Sequence, residues 1–364
     1  MKLRKASIKD YKKIKELFKR NNLEIISFKR WSNLWKKNPF LKNKKNWTKG
    51  WVIESNKKIV GHFGNFPTKY FFNKKSYLCS VSCGWVVDQK YRSNSILLLK
   101  KFFMQPHIDF FFNATPNDKA ALIMEAFKAK QVPVETLNYS YFIILNLKNT
   151  LKYFFDKNFF PFKNLIANLI SIPLFFLLKK KINFWENKFI NQNIVQCKKI
   201  DFRFNYLWNN IKQANKKTLL LQRDKNFLEW HLGHFLENNQ AWIFLHIKNK
   251  RINGYAICIQ NNDDKNFKRA YLVDLISIDK KNEILTSLIG VCINEAKKRK
   301  CDIFEFRGFN GSKLGNIKSF KPFEKKLSFN PFYYKSNNKK LNKILNKSSH
   351  WSPSYIDGDV IVNF

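Results

Sequence analysis

Acidic residues are scarce in this chain: 26 Asp and Glu stand against 68 Lys and Arg, a formal net charge of +42. A deficit of that size ordinarily points to a polyanionic partner, either a nucleic acid or an anionic membrane. Here the lysines run through every segment, turns such as Asn56-Lys57-Lys58 and Asn249-Lys250-Arg251 included, beside abundant Asn, Phe and Ile. An AT-rich coding sequence produces that pattern by pushing Arg towards Lys, so most of the charge reads as a solvated surface. Cysteine is equally unpatterned. Cys79, Cys83, Cys197, Cys258, Cys292 and Cys301 form no C-x-x-C pair and lie mostly in apolar runs, the setting of small buried thiols rather than of a disulfide framework. No apolar stretch follows Met1-Lys2-Leu3-Arg4-Lys5, so no secretory signal is read, and a reducing cytoplasm is expected. His231 and His234 lack a carboxylate or third ligand at a useful spacing, and no metal site is read there.

The chain also lacks an apolar run of spanning length. Leu165 to Leu178 is strongly apolar, but a spanning helix needs roughly 20 such residues, and Pro173 lies inside this one. Phe159-Phe160-Pro161-Phe162 precedes it and Lys179-Lys180-Lys181 follows. Two readings stand: a helix in an anionic membrane interface through 165–181, peripheral at the inner membrane face, or an inter-domain helix buried on a core.

What is present is enough apolar sequence for two domains: 45% hydrophobic and 16% aromatic over 364 residues. The sequence also echoes itself. Gly61 and Gly254, Asp109 and Asp302, and Phe127 and Phe320 all share one offset of 193. Around them each half shows one order of elements. Strands are expected at Gly50 to Ser55, Ile59 to Lys69, Tyr77 to Val87 and Ile108 to Asn113. Helices are expected at Ile8 to Arg20, Asn94 to Phe103 and Asn117 to Ala129, and Leu137 to Leu147 reads as the strand or hairpin closing the first half. The second half repeats the order with strands at Ala241 to Lys248, Ile252 to Gln260, Arg269 to Ile278 and Asp302 to Arg307. The resulting boundaries are a first domain over 1–150, an apolar and basic linker over 151–195, and a second domain with a tail over 196–364. An antiparallel meander that feeds a strand, a helix and a parallel strand is an α/β arrangement with a mixed sheet.

Three segments in the first half carry a specific resemblance. Leu3 to Tyr11 resembles the opening of the GNAT (Gcn5-related N-acetyltransferase) superfamily. Trp85 to Leu97 resembles its CoA motif, and Ala114 to Ala120 resembles the start of its next helix. The resemblance implies an α/β fold of two tandem GNAT-like domains, each a mixed, mostly antiparallel central sheet flanked by helices. It also implies acyl-CoA (acetyl-CoA) as co-substrate, without a metal, held by Val86, Val87, Arg92, Ser93, Asn94, Ser95, Ile96, Leu97 and Asn117. Where the family has glycines that let the backbone approach a pyrophosphate at a helix N-terminus, this chain has Ser93-Asn94-Ser95-Ile96-Leu97. Weak CoA binding, another anion, or a capped helix start with no ligand all remain open.

Family members use a carboxylate base, and Asp274 and Glu305, each in an apolar strand of the second half, are the candidates. A structural ion pair with Arg269 or Arg307 explains either one equally well. The tail Trp351-Ser352-Pro353-Ser354-Tyr355-Ile356-Asp357-Gly358-Asp359 resembles the ending of tandem-GNAT proteins tied to cell-surface polysaccharide synthesis. It reads as closing an acceptor cleft or as a surface turn. The leading reading is an acyltransferase acting on an amine or hydroxyl of a small-molecule or glycan acceptor, such as an amino sugar of a surface polysaccharide precursor. A Fem-like aminoacyltransferase using charged tRNA and a non-catalytic module at the inner membrane surface are the alternatives.

Overall fold

The computed structural model describes residues 1–42, 47–157, 166–174, 176, 193–262, 267–279, 282–327 and 332–363. The chain opens with β1 (Lys2–Lys5), α1 (Tyr11–Arg20) and α2 (Phe28–Lys36), then a meander of β2 (Gly50–Ser55), β3 (Lys58–Phe72) and β4 (Lys75–Val87). α3 (Ser95–Phe103), β5 (Phe110–Asn113), α4 (Asp118–Ala126), β6 (Lys130–Gln131), β7 (Tyr139–Ile144) and α5 (Leu147–Lys157) follow. After the linker come β8 (Ile194–Cys197), a helix at Arg203–Ala214, β9 (Leu220–Leu221) and a helix at Lys225–Glu237. A second meander, β10 (Ala241–Lys248), β11 (Arg251–Asn262) and β12 (Lys268–Ser277), leads through the helix Asn282–Lys298 to β13 (Ile303–Arg307). The helix Gly311–Lys318, β14 (Phe323–Lys326), β15 (Tyr333–Lys335), the helix Lys339–Leu345 and a tail complete the chain.

These strands form two mixed, mostly antiparallel sheets flanked by helices, the α/β architecture expected. One sheet is eight-stranded, with order β1-β2-β3-β4-β5-β15-β6 and β9 beside β3; the other is seven-stranded, with order β14-β7-β13-β12-β11-β10-β8. Each meander strand alternates faces while both faces are covered, which is why β3 and β11 read as nearly continuous apolar runs. β4 and β5 pair in parallel, as do β12 and β13. The two crossovers are pinned alike: Asp109 accepts from the Leu78 amide at 2.6 Å, and Asp302 accepts from the Lys268 amide at 2.8 Å. The matching offset is 193 for the aspartates and 190 for the amides, so β12 reaches its crossover three residues sooner than β4 does.

The closing strands change places. The sequence reads 137–147 as the end of the first half, but β7 lies in the second sheet between β13 and β14. In return β15, from the second half, lies in the first sheet between β5 and β6. Alternation announces a strand with one buried face and carries no information about which sheet receives it. Tyr141 and Ile143 fill the core beneath the helix Asn282–Lys298, while Tyr333 fills the core beneath α3. Between the sheets the largest core joins both halves, with Phe66, Tyr70 and Phe112 on one side and Tyr255, Ile257 and Val273 on the other.

The tail is buried in this seam from Ser354 to Val362 and is therefore not a surface turn. Gly358 has φ +77, and an added Cβ would lie 2.5 Å from Ala114 Cβ, so the tail passes over the end of β5 at a distance only glycine allows. Of the apolar stretch expected at 165–178, residues 166–174 are helical, and 165, 175 and 177–181 lie outside the described residues. Among the described residues no helix is long and apolar enough to cross a membrane.

The exchange of β7 and β15 makes each sheet depend on the other half. Residues 1–157 and 193–364, expressed separately, are expected to show no cooperative urea transition by circular dichroism and to recover one on mixing. Independent cooperative melting of either piece contradicts this dependence.

Candidate active site

β4 and β5 stay paired only from Cys79/Phe110 to Val81/Phe112. β4 then runs on to Val87 while β5 stops at Asn113, so the strands part and the edge of β4 from Ser82 onward has, among the described residues, no strand beside it. A bulge opposite His62–Gly64 adds to the bend, and Gly84 within it has φ +60. Past the tip, Asp88 is clamped by Arg20 and Asn21, each at 2.8 Å, and opens a 3-10 turn, Gln89–Asn94, that continues into α3. Facing it, Asn117 caps α4 by accepting from the Ala120 amide at 2.9 Å.

A cleft of about 630 Å³ lies between these two helix starts. Of the residues expected to hold acyl-CoA, the structure brings Val86, Val87, Arg92, Ser95 and Asn117 together on its wall, with Trp85 and Lys119. Ser93, Asn94, Ile96 and Leu97 are outside that wall; Ile96 and Leu97 are 46% and 39% exposed. The missing glycines have a visible consequence. No residue from 89 to 97 has positive φ, and the turn spends its own amides, Tyr91 on Asp88 at 2.8 Å and Ser95 on Arg92. The site therefore offers an anion the exposed side chains of Arg92 and Lys119 in place of a full backbone cradle.

The second sheet holds a counterpart cleft of about 510 Å³ where β12 and β13 part, lined by Ile276, Ser277, Asn310 and Lys313. Among its described lining residues there is no arginine. Lys313 donates to Ser352 Oγ at 3.1 Å, and burial brings its ammonium down to about 8 against the pull of Asp274.

Asp274 and Glu305 line neither cleft. Asp274 is fully buried: Oδ2 accepts from Arg223 Nε and Tyr255 OH, each at 2.7 Å, and Oδ1 accepts from Ser354 Oγ at 3.0 Å. Burial pushes this carboxyl up, but Arg223, Lys313 and the hydrogen bonds outweigh it and hold Asp274 below the usual range. Arg223 reaches the tail as well, donating to Ser354 at 3.1 Å and lying 3.5 Å from Asp357, whose carboxyl burial holds above its ordinary value. Tyr70 from the first sheet donates to Asp357 at 3.0 Å. Glu305 accepts from Ser140 of the exchanged β7 at 2.7 Å and lies 3.6 Å from both Arg269 and Arg307. Both acids are thus ion-paired joints, Asp274 between the sheets and the tail, Glu305 between β13 and β7.

Sequence reasoning missed His62. It is 2% exposed in β3, and its Nδ1 lies 2.7 Å from the Gly84 carbonyl. A carbonyl only accepts, so Nδ1 carries the proton and Nε2 is left with a lone pair that has no hydrogen-bond partner among the described residues. Burial lowers the ring to about 4, with the Gly84 carbonyl and Asp10 opposing, so it is neutral at physiological pH. The signal was available: a histidine inside the apolar run Ile59-Val60-Gly61-His62-Phe63 is as conspicuous as an acid in β12.

No protein-family model matches the chain, and no curated protein matches its sequence. Solved structures do match. Saccharomyces cerevisiae N-myristoyltransferase, solved with bound myristoyl-CoA, is similar over 92% of this chain and 78% of its own, with TM-score 0.54 and 13% identity. A conserved protein from Enterococcus faecalis V583, described as a probable N-acyltransferase, is similar over 92% and 72%, with TM-score 0.57 and 11% identity. A GCN5-related N-acetyltransferase from Anabaena variabilis matches over 93% and 73%, with TM-score 0.53 and 9% identity. The chain has the GNAT fold. At these identities the likeness is one of fold.

Removing one partner of a fully buried ion pair leaves the other charge uncompensated. Asp274→Ala is expected to cost about 3–5 kcal/mol in urea unfolding, far more than a substitution at an exposed acid such as Glu16. A loss below about 1 kcal/mol removes the joint from the account of stability.

Proposed function

We propose that the chain is an acyltransferase taking its acyl group from acyl-CoA bound in the cleft between β4 and α4 of the first half. The observation that carries this reading is the parting of β4 and β5 beside a cleft walled by Arg92, Lys119 and Asn117. The unpaired edge of β4 past Val81 suits an extended amide-bearing arm, which hydrogen-bonds to a strand edge as another strand would. Arg92 and Lys119 meet the phosphates at its far end. The counterpart cleft lacks the arginine among its described lining residues, which supports a donor site in the first half. For the acceptor we infer an amine or hydroxyl. An amino sugar of a surface polysaccharide precursor is the finer assignment, supported by the resemblance of the tail from Trp351 to Asp359. A charged-tRNA donor has no comparable support.

Calorimetry with acetyl-CoA and longer acyl-CoAs tests the donor. Micromolar to millimolar binding is expected, weakened about tenfold by Arg92→Ala, the loss of one charged hydrogen bond. Absence of heat with every acyl-CoA overturns the reading.

The helix at 166–174 supports a peripheral contact with an anionic membrane. Leu169, Ile170, Ile172 and Phe176 are each more than 40% exposed, although the basic run at 179–181 that would face the headgroups lies outside the described residues. Deleting 165–178 is expected to lower the fraction sedimenting with phosphatidylglycerol liposomes; an unchanged fraction dismisses the contact.

A further inference from the structure

Arg307 stands 193 residues after Ala114, the offset that relates Asp302 to Asp109, and Gly308 stands in the same relation to Thr115. These residues lie at the ends of the two crossover strands, β13 and β5. All four line one cavity of about 470 Å³, so the corresponding strand ends face each other across the junction of the halves. The duplication is unequal there. Where the first half has the methyl group of Ala114, the second has a guanidinium.

Two corners of that guanidinium are spent inside the protein. Nη1 donates to Tyr355 OH at 2.8 Å, and Nε is buried 3.6 Å from Glu305 Oε1. Nη2 makes no hydrogen bond to the described residues, and the side chain stays 32% exposed. An arginine held at two corners thus lines the cavity with a donor still unused. Its charge is only partly answered, because Glu305 lies 3.6 Å from Arg269 and Arg307 alike, one carboxylate against two guanidinium groups. Lys325 and Lys326 of β14 line the same cavity and are exposed. No Asp or Glu does so among its described lining residues, and the nearby residues 328–331, outside the described residues, include no acid in their sequence. The other wall is apolar, built from Pro116, Leu137, Phe332 and Val360.

We propose that this cavity binds a small organic phosphate monoester, its phosphate on Arg307, Lys325 and Lys326 and its carbon body against Leu137, Phe332 and Val360. Its volume falls in the range of about 300–1,000 Å³ usual for small-molecule sites. Three cations without a lining acid match a phosphate, which carries about −1.5 to −2 charges on three acceptor oxygens, better than a singly charged carboxylate. The apolar wall has nothing to offer inorganic phosphate, so the group arrives on an organic carrier. The site is separate from the proposed acyl-CoA cleft: none of its residues lines that cleft, and neither Arg92 nor Lys119 lines this cavity. A ligand held there touches the ends of β5 and β13, β14 and the tail, so it binds the assembled molecule only and stabilises it.

Calorimetry on full-length chains in about 150 mM NaCl, which screens exposed charge, tests the site. The probes are glucose 6-phosphate, uridine 5′-monophosphate, inorganic phosphate and glucose. At least one organic phosphate is expected to bind wild type and raise its Tm, with inorganic phosphate weaker and glucose silent. The tighter of the two names the carrier as sugar or nucleoside. Arg307→Lys keeps a cation beside Glu305 but loses the planar fork, and it is expected to weaken binding about tenfold. The exposed pair Lys325→Ala with Lys326→Ala is expected to fold as wild type and weaken binding by a similar factor. Lys12→Ala with Lys15→Ala removes the same charge from α1, outside this cavity, and is expected to change affinity less than about twofold. Silence from both organic phosphates overturns the proposal. So does wild-type affinity in both cavity variants, an equal loss in the α1 variant, or inorganic phosphate binding as tightly as its esters. A loss in Arg92→Ala instead places the phosphate in the acyl-CoA cleft and also overturns it. Wild type that binds an organic phosphate but no acyl-CoA keeps this site and overturns the donor reading alone.

Discussion

The arrangement depends on one buried charge pair. Arg223 and Asp274 lie at the seam between the sheets, 2% and 0% exposed on their side chains, and neither is stable there without the other. Their partners show what the pair is for. Tyr255 comes from β11, Ser354 and Asp357 come from the tail, and Tyr70 comes from β3 of the opposite sheet. A purely apolar seam tolerates sliding, because one methyl group serves as well as another. A fixed set of donors and acceptors admits one register only. The tail that this register holds contributes Tyr355 and Val360 to the cavity of about 470 Å³ beside Arg307, and Val362 to the space beside His62. The space beside His62 thus inherits its geometry from the ion pair, although neither Arg223 nor Asp274 lines it.

The element order was legible because each meander strand carries its own local pattern, and Val86, Val87, Arg92, Ser95 and Asn117 converge because the strand-to-helix turn that unites them is also local. The acids show the limit of the same reasoning. An acid in an apolar strand has to be satisfied, and the sequence states that need without naming the partner: Asp274 is answered by Arg223, 51 residues earlier, rather than by an arginine of its own strand. Glu305 has Arg269 and Arg307 as anticipated, together with Ser140 from a strand assigned to the other half. The exchange of β7 and β15 was illegible for a similar reason, since pairing between strands of equal pattern is decided by the three-dimensional path of the connections. His62 is legible in kind, because a histidine inside an apolar strand needs a partner just as an acid does.

Under the proposed acyl-CoA reading, the altered loop divides anion binding between backbone and side chain. A glycine turn aims amides at a phosphate at the cost of chain entropy. The 3-10 turn Gln89–Asn94 bonds to itself, and its charge comes from Arg92 and Lys119, which are long, mobile and exposed. Such a site depends more on ionic strength than an amide cradle does, because screening weakens exposed charges first.

The strand exchange also sets a timetable for synthesis. Domains usually fold as they leave the ribosome, the first before the second is made. Here β5 and β6 wait for Tyr333–Lys335 to fill the gap between them, and the seam waits for the tail at 351–363. The nascent first half carries an unfilled slot in its sheet through most of translation, with two strand edges open to any extended chain nearby. Its lysine-rich surface then has a use in the unfinished molecule: like charges hold neighbouring nascent chains apart until β15 arrives and fills the slot.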